Sequence, residues 1–340
     1  MKTYQLSLSD NGPHFEVVDQ STPGLGAHDV LIDVQAWSLN YRDLAMLGGG
    51  YPGNDKIVND PPLVPLSDCA GIVCAVGSDV TRVAVGDRVS PIFYQDWMDG
   101  DLTAANVGAT LGGGVDGVMS EFFACSEESV VKLPDYLSFE EAATLPCACV
   151  TAWEALSLGD INADQTVLMI GTGGVSIFAL QLVVAKGAKA IVVSSSDEKL
   201  ARATSLGASH VINYQTTPDW HLEVLGLTHG IGVDHVIEVG GAGTYEKSCI
   251  ATKFSGRVSL IGVLTGYPEQ NPSPYLAMAK RLTVQGIAVG SRDRFESLLQ
   301  VMDGAQIHPV IDRRFDFAQL PEAMQYLGSA QHVGKVVLTK

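Results

Sequence analysis

Positive charge is scarce in this chain of 340 residues: 21 lysines and arginines stand against 38 aspartates and glutamates, a formal net charge of -17. Such an excess repels polyphosphate backbones and acidic membrane surfaces, and no basic run offers a face that escapes it, so no nucleic-acid partner is expected. No apolar run approaches the roughly 20 residues that span a bilayer. The opening MKTYQLSLSDNGP also lacks the basic-then-apolar order of a secretion signal. These absences lead to the expectation of a cytoplasmic protein with no membrane partner. Cysteine is sparse too. Cys69, Cys74, Cys125, Cys147, Cys149 and Cys249 follow no disulfide framework and read as small buried residues in a reducing compartment.

What is present is apolar and ordered by period. With 46% hydrophobic and 17% charged residues, the chain has the make-up of a globular protein large enough for two domains. Residues 1–130 show short alternating runs such as DVLIDVQAW and AGIVCAVG, with Gly71, Gly77 and Gly86 read as turn points, which predicts a small twisted β-barrel. At Ser138 the pattern changes, and Glu141 three residues on completes a capping box that starts a helix. The runs TVLMIG, AIVVSSS, SHVINY, DHVIEVGG, RVSLIGV and RLTVQGIAVG then alternate with helical stretches. Their near-continuous apolar content predicts a doubly wound, six-stranded parallel sheet over residues 131–290. Residues 291–340 return as mixed α and β, closing on GKVVLTK.

Within the sheet, VLMIGTGGVS places Gly171, Gly173 and Ser176 where a dinucleotide fingerprint has three glycines. Gly171 allows a tight turn and Gly173 lets backbone approach a pyrophosphate at a helix N-terminus, with Thr172, Gly174 and Val175 completing the loop. The helix reads as amphipathic, with Val175, Phe178, Leu182 and Ala185 on one side. No acid ends the second strand. Ser194 and Ser195 stand there instead, and SSDE reads as a capping box for the next helix. Small hydroxyls leave room for a 2'-phosphate, to which Lys199, Arg202 and Tyr214 could donate, so NADPH is expected over NADH. Val239 and Gly240, and Ile261, Gly262 and Val263, end the fourth and fifth strands and should line the cofactor site.

Taken together, SLNYRDLAMLGGGYPG, PLSDCAGIVCAVGSDVTRVAVGDRV, TLPCACVTAWEAL, GTGGVSIFALQ, SSSDEK and VINY resemble the medium-chain dehydrogenase/reductase superfamily, and within it the zinc-independent quinone oxidoreductase-like branch. The resemblance spans essentially the whole chain. It implies a GroES-like catalytic barrel built from both chain ends, a Rossmann domain, and an active site between them. Relatives hold catalytic zinc on a Cys, a His and a Cys where this chain has Asn40, Ser67 and Cys147. One ligand of three remains, too few for a catalytic zinc site. The four cysteines of the relatives' structural zinc are missing as well, so no metal is expected. Without zinc the reaction implied is hydride transfer to an activated double bond or quinone, with oxygen charge met by hydrogen-bond donors. Asn40 and Tyr41 are the candidate donors; the alternatives are a turn cap for Asn40 and barrel packing for Tyr41. Arg42 and Asp43 read as a local ion pair. Thr151 resembles the threonine that packs on the nicotinamide. Phe93, Tyr94 and Trp97 are a candidate substrate wall, with plain packing as the alternative. A zinc-free alcohol dehydrogenase or carbonyl reductase, and an NADPH-binding redox sensor without turnover, remain alternative readings. The edge strand RLTVQGIAVG predicts a homodimer.

Overall fold

The structure is a computed structural model that describes residues 1–9, 12–48, 62–266 and 274–340. The last part of SLNYRDLAMLGGGYPG, from residue 49, lies outside the described residues. The chain divides into two compact units, Met1–Val150 with Gly290–Lys340, and Thr151–Val289.

The first unit begins with the antiparallel pair β1 (Lys2–Ser9) and β2 (Gly12–Asp19). Its main sheet is seeded by β3 (Asp29–Ser38), whose apolar run is buried along almost its whole length and carries Trp37, which donates its indole N–H to Val118 O at 2.7 Å. Helix α1 (Tyr41–Leu47) follows directly. β4 (Asp68–Val76), β5 (Arg88–Pro91), β6 (Phe122–Ser126) and β7 (Val130–Lys132) complete the N-terminal part. Gly86 is a turn glycine at φ +97°, as expected, but Gly71 is not. It lies inside β4, where a Cβ would meet Asp33 O at 2.3 Å, so its task is to let two backbones cross closely. The first unit also keeps α2 (Phe139–Ala143), with its Ser138/Glu141 capping box, and the π-helical turn Leu145–Cys149. The unit boundary therefore falls at 150/151, where the sequence pattern places it at 130/131. The anchor is Arg88: its guanidinium lies over the Phe139 ring at 4.5 Å and donates to the carbonyls of Pro134 and Asp135.

Helix α3 (Val150–Leu158) leads into the second unit. There β8 (Thr166–Ile170), α4 (Gly174–Ala185), β9 (Lys189–Ser194), α5 (Asp197–Ser205), β10 (His210–Asn213), α6 (Trp220–Leu227), β11 (Val233–Glu238), α7 (Tyr245–Ala251), β12 (Thr252–Leu260), α8 (Tyr275–Ala279) and β13 (Thr283–Gly286) alternate. Every pairing is parallel, in the order β10-β9-β8-β11-β12-β13. The order reverses between β8 and β11, the position at which doubly wound sheets hold their ligands. α4 is not the amphipathic helix its sequence suggests: seven of its residues are buried, from Ser176 to Val183, and Ala185 is exposed. A helix covering an apolar sheet is apolar over most of its circumference.

After α9 (Arg292–Ala305) the chain re-enters the first sheet as β14 (Ile311–Asp316), and α10 (Leu320–Gly328) leads to β15 (Lys335–Thr339). β15 pairs antiparallel with β3, with Leu338 opposite Trp37, giving the order β14-β15-β3-β4-β5-β7 with β6 also on β3. Leu320, Ala323, Met324 and Leu327 recur at helical spacing and close the core over Ile32, Trp37, Val336 and Leu338. Each of the leucines and the methionine stabilises the fold by about 1.5–3 kcal/mol on burial. The residue that opens β15 in this apolar setting is a lysine, and it is buried.

Candidate active site

In the second unit the turn after β8 has the geometry its glycines imply. Gly171 sits at φ +81°, its N–H donates to Val193 O at 2.6 Å, and Gly173 is the N-cap of α4. Ser176, in the third-glycine place, is buried and donates to Ile170 O at 2.7 Å, so it satisfies the last strand carbonyl as well as fitting the close packing. The turn meets the end of β9 through Thr172 Oγ1 and Ser194 Oγ, 3.2 Å apart. Tyr214 joins them, its N–H donating to Ser194 O at 3.0 Å and its side chain 39% exposed. Lys199 and Arg202 are three apart on α5 and share a face. The cap of α5 is one residue later than SSDE implies: Ser196 accepts from Lys199 N–H, and no acid occupies the reciprocal position.

At the end of β11 stands a carboxylate that the sequence reading missed. Glu238, fully buried, accepts at Oε1 from the N–H groups of Gly240 (2.7 Å) and Gly241 (3.0 Å) and from the Thr244 hydroxyl (2.6 Å), while Oε2 accepts from Ser248. Its carbonyl takes the Ile261 N–H, and Gly240 O takes that of Thr265, so Val239, Gly240, Ile261, Gly262 and Val263 form one tied set of loops. Thr151 is buried at the first residue of the unit.

In the first unit, Asn40 caps α1 and its N–H donates to Asp43 Oδ2 at 2.8 Å. Its side chain belongs to a buried polar ring. Lys335 donates to Asn40 Oδ1 and to Leu39 O, both at 2.6 Å; Asn40 Nδ2 donates to Ser67 Oγ at 3.4 Å; Ser67 donates to Asp68 Oδ1 at 2.6 Å. Asp68 Oδ2 then takes the Cys147 N–H at 3.3 Å and lies 3.9 Å from the Lys335 ammonium. Burial, opposed by neighbouring Arg42, pushes the Asp43 carboxyl up to about 6, and burial with the Asp68 charge raises the Cys147 thiol. Arg42 and Asp43 are the expected pair, 3.9 Å apart, but both are buried. Arg42 also donates to Leu111 O and Gly112 O and lies over Phe93 at 4.8 Å.

Tyr41 is 46% exposed, so barrel packing does not account for it. Phe93, Tyr94 and Trp97 are buried and interlock edge to face, with centroids 5.0 and 5.6 Å apart. Cys149 is buried against Met302, and Cys147 lies apart from it on the same turn. Asp68 and Lys335 escaped the sequence reading because a strand's terminal charges normally read as a solvated edge. The signal was there: Asp68 follows Ser67 directly, and Lys335 opens the apolar run KVVL.

A six-stranded parallel sheet with a nucleotide-type turn in one unit, and a mainly antiparallel sheet made from both chain ends in the other, define a two-domain oxidoreductase. Comparison with known proteins narrows the class. Residues 26–135 match the family model described as alcohol dehydrogenase GroES-like domain, and 174–304 the one described as zinc-binding dehydrogenase. A zinc-type alcohol dehydrogenase-like protein of Schizosaccharomyces pombe is 41% identical over 333 residues, 95% of this chain and 93% of that protein. A crystal structure from Sinorhizobium meliloti 1021, provisionally named an alcohol dehydrogenase, superposes with a TM-score of 0.90 at 40% identity, covering 100% of this chain and 99% of that one. A crotonyl-CoA carboxylase/reductase of Cereibacter sphaeroides is 29% identical over 359 residues, 95% of this chain and 82% of that protein. Others bear the names alcohol dehydrogenase, NAD-dependent alcohol dehydrogenase and quinone oxidoreductase. The chain belongs to the medium-chain dehydrogenase/reductase superfamily and is an oxidoreductase of that type.

The name of the second family model raises zinc, and the residues at the corresponding place do not fit it. Catalytic zinc takes thiolate, imidazole or carboxylate donors from three residues. Here Asn40 has its oxygen against an ammonium 2.6 Å away, and Ser67 holds its proton toward Asp68. A dication among them would face a buried lysine. Among the described residues no three His, Cys, Asp or Glu side chains gather to hold a metal, and no helix is long and apolar enough to cross a membrane.

Proposed function

We propose that the protein is an NADPH-dependent, zinc-independent reductase of activated double bonds or quinones. The observation that carries the proposal is the ring of Lys335, Asn40, Ser67 and Asp68, which puts hydrogen-bond donors where a metal-ligand set would stand. Reducing a simple aldehyde demands an electrophile strong enough to stabilise an alkoxide, the task zinc performs. In an enone, enal, quinone or enoyl thioester the hydride goes to carbon and the charge spreads to an oxygen, where neutral donors suffice. In this reading Asn40 Nδ2–H and the Tyr41 hydroxyl meet that oxygen, and the proton that completes the reduction comes from Tyr41 or water. The names crotonyl-CoA carboxylase/reductase and quinone oxidoreductase among relatives support it.

The cofactor itself supplies the hydride. The loop Gly171, Thr172, Gly173, Gly174 and Val175 would cradle its pyrophosphate on the α4 N-terminus. Ser194, Ser195, Lys199, Arg202 and Tyr214 would receive the 2'-phosphate, and Thr151 with the loops tied by Glu238 would face the nicotinamide. Phe93, Tyr94 and Trp97, being buried, would support a substrate pocket more by rigidity than by exposed area.

A second reading, a carbonyl reductase, is favoured by the alcohol dehydrogenase names among the most similar relatives. One panel separates the two. Purified protein with NADPH should oxidise the cofactor with quinones, enones, enals or enoyl thioesters and stay slow with ethanol-derived and other saturated aldehydes. The reverse ranking would establish the second reading, and a zinc ion retained through dialysis against chelator would make it the zinc-dependent form. Stable NADPH binding with no oxidation by any member would instead favour a sensor.

A further inference from the structure

We propose that Lys335 is a positioning residue that fixes which end of the Asn40 amide is offered to the substrate. The inference rests on the reading of Asn40 as a donor given above. A primary amide is nearly symmetric in shape, and turning it by half a circle exchanges an acceptor for two donors. Something must therefore set its direction. At Asn40 both neighbours do so. An ammonium can only donate, so Oδ1, 2.6 Å from Lys335 Nζ, has to face the lysine. On the other side, the Ser67 proton is committed to Asp68 at 2.6 Å, which leaves Ser67 with lone pairs for Nδ2.

The donors thus run one way, from Lys335 through Asn40 and Ser67 to Asp68, with a cation at the head and a carboxylate at the tail. Lys335 Nζ and Asp68 Oδ2, 3.9 Å apart, close the ring. Lys335 is 3% and Asp68 0% exposed, so the polarity of the ring is set by full charges in a medium that screens them weakly. The Nδ2 contact with Ser67 is long, 3.4 Å, and the second N–H of Asn40 has no partner among the described residues. That N–H is the one available to a substrate oxygen. With Lys335 bonded to Oδ1, the amide is also a stronger donor, because chained hydrogen bonds polarise one another. A lysine reaching across 295 positions of sequence to the residue that caps α1 is then part of the site's design, as well as an anchor for β15.

The test is a double-mutant cycle read by two signals. Lys335→Met keeps the apolar stem and removes the charge; because it strands Asp68, the charge-balanced pair Lys335→Met with Asp68→Asn is made alongside. The side-chain amide of Asn40, identified in a ¹⁵N–¹H spectrum by its loss in Asn40→Ala, should appear in the wild type as a single pair of resonances, with the proton directed at Ser67 protected from exchange. Both lysine variants should double it or lose its protection. With NADPH and cinnamaldehyde or a naphthoquinone, they should lower turnover about tenfold to a hundredfold while leaving NADPH affinity unchanged. In an Asn40→Ala background the same lysine changes should have almost no further effect on turnover. An unaltered Asn40 amide pair in the folded lysine variants, or a full second loss of turnover in the Asn40→Ala background, overturns the inference. Wild-type turnover in Asn40→Ala would instead remove the donor role claimed in the proposed function, and the amide resonances would still decide the orientation.

Discussion

His235 shows how a single buried side chain makes the fold sensitive to acid. It is 1% exposed on β11, Nε2 lies 2.8 Å from Ser259 Oγ, and a Cβ on Gly159 would come within 2.5 Å of Nδ1, so glycine is what makes room for the ring. Burial, helped by the charge of Arg257, lowers its pKa from 6.5 to about 3. Between those values the unfolded chain binds a proton that the folded chain refuses. The stability linked to His235 is therefore complete above about pH 6.5 and is lost as pH falls towards 3, on the order of 2 kcal/mol by pH 5. Denaturant midpoints should fall more between neutral and acid buffer for the wild type than for His235→Gln; parallel falls would clear the ring of this role. At the candidate site, Tyr41→Phe should cost about 2.7 to 4 kcal/mol in turnover on an enal, roughly 100- to 1000-fold, with NADPH affinity kept. Wild-type turnover would remove the hydroxyl from the mechanism. At this scale the sequence was legible where geometry follows from a local pattern, as in the positive φ of Gly171. It was silent on Lys335, because nothing near position 335 says that the cap of α1, 295 residues away, supplies its partner.

Among the elements, the β8 turn and its helix were legible because glycine position and apolar period carry the information locally. What was not legible was how much of α4 would be buried, since that depends on the sheet beneath it. Gly71 was misread as a turn for a related reason: only the pairing of β3 with β4 reveals the close backbone approach. Glu238 belongs here too, since an acid ending a strand signals nothing until the loop of Gly240 and Gly241 folds back onto it. The α5 cap moved by one residue, which leaves Lys199 at the third position of the helix, its N–H on Ser196. The cofactor prediction is argued at this scale. A charge-assisted hydrogen bond contributes about 1.5–3 kcal/mol, so Lys199→Ala should weaken NADPH binding roughly tenfold to a hundredfold and leave NADH nearly unchanged. Titrations showing equal losses for both would take Lys199 out of the phosphate site.

For the whole molecule, the alternation of strands and helices made the parallel sheet and its position readable, while the unit boundary moved to 150/151 because Arg88 and Asp68 hold the 139–150 segment in the first unit. β13 is the edge of the six-stranded sheet, shorter than its sequence run, and half-buried. Such an edge offers unpaired backbone groups to a symmetric partner, so sedimentation should give a homodimer, and a concentration-independent mass near 36.0 kDa would refute it. The central claim concerns where the hydride lands. Cinnamaldehyde reduced with NADPH carrying deuterium at the transferred position should yield product labelled at the β-carbon, with the aldehyde intact. Deuterium found at the carbonyl carbon and never at the β-carbon would contradict the assignment and make the protein a carbonyl reductase.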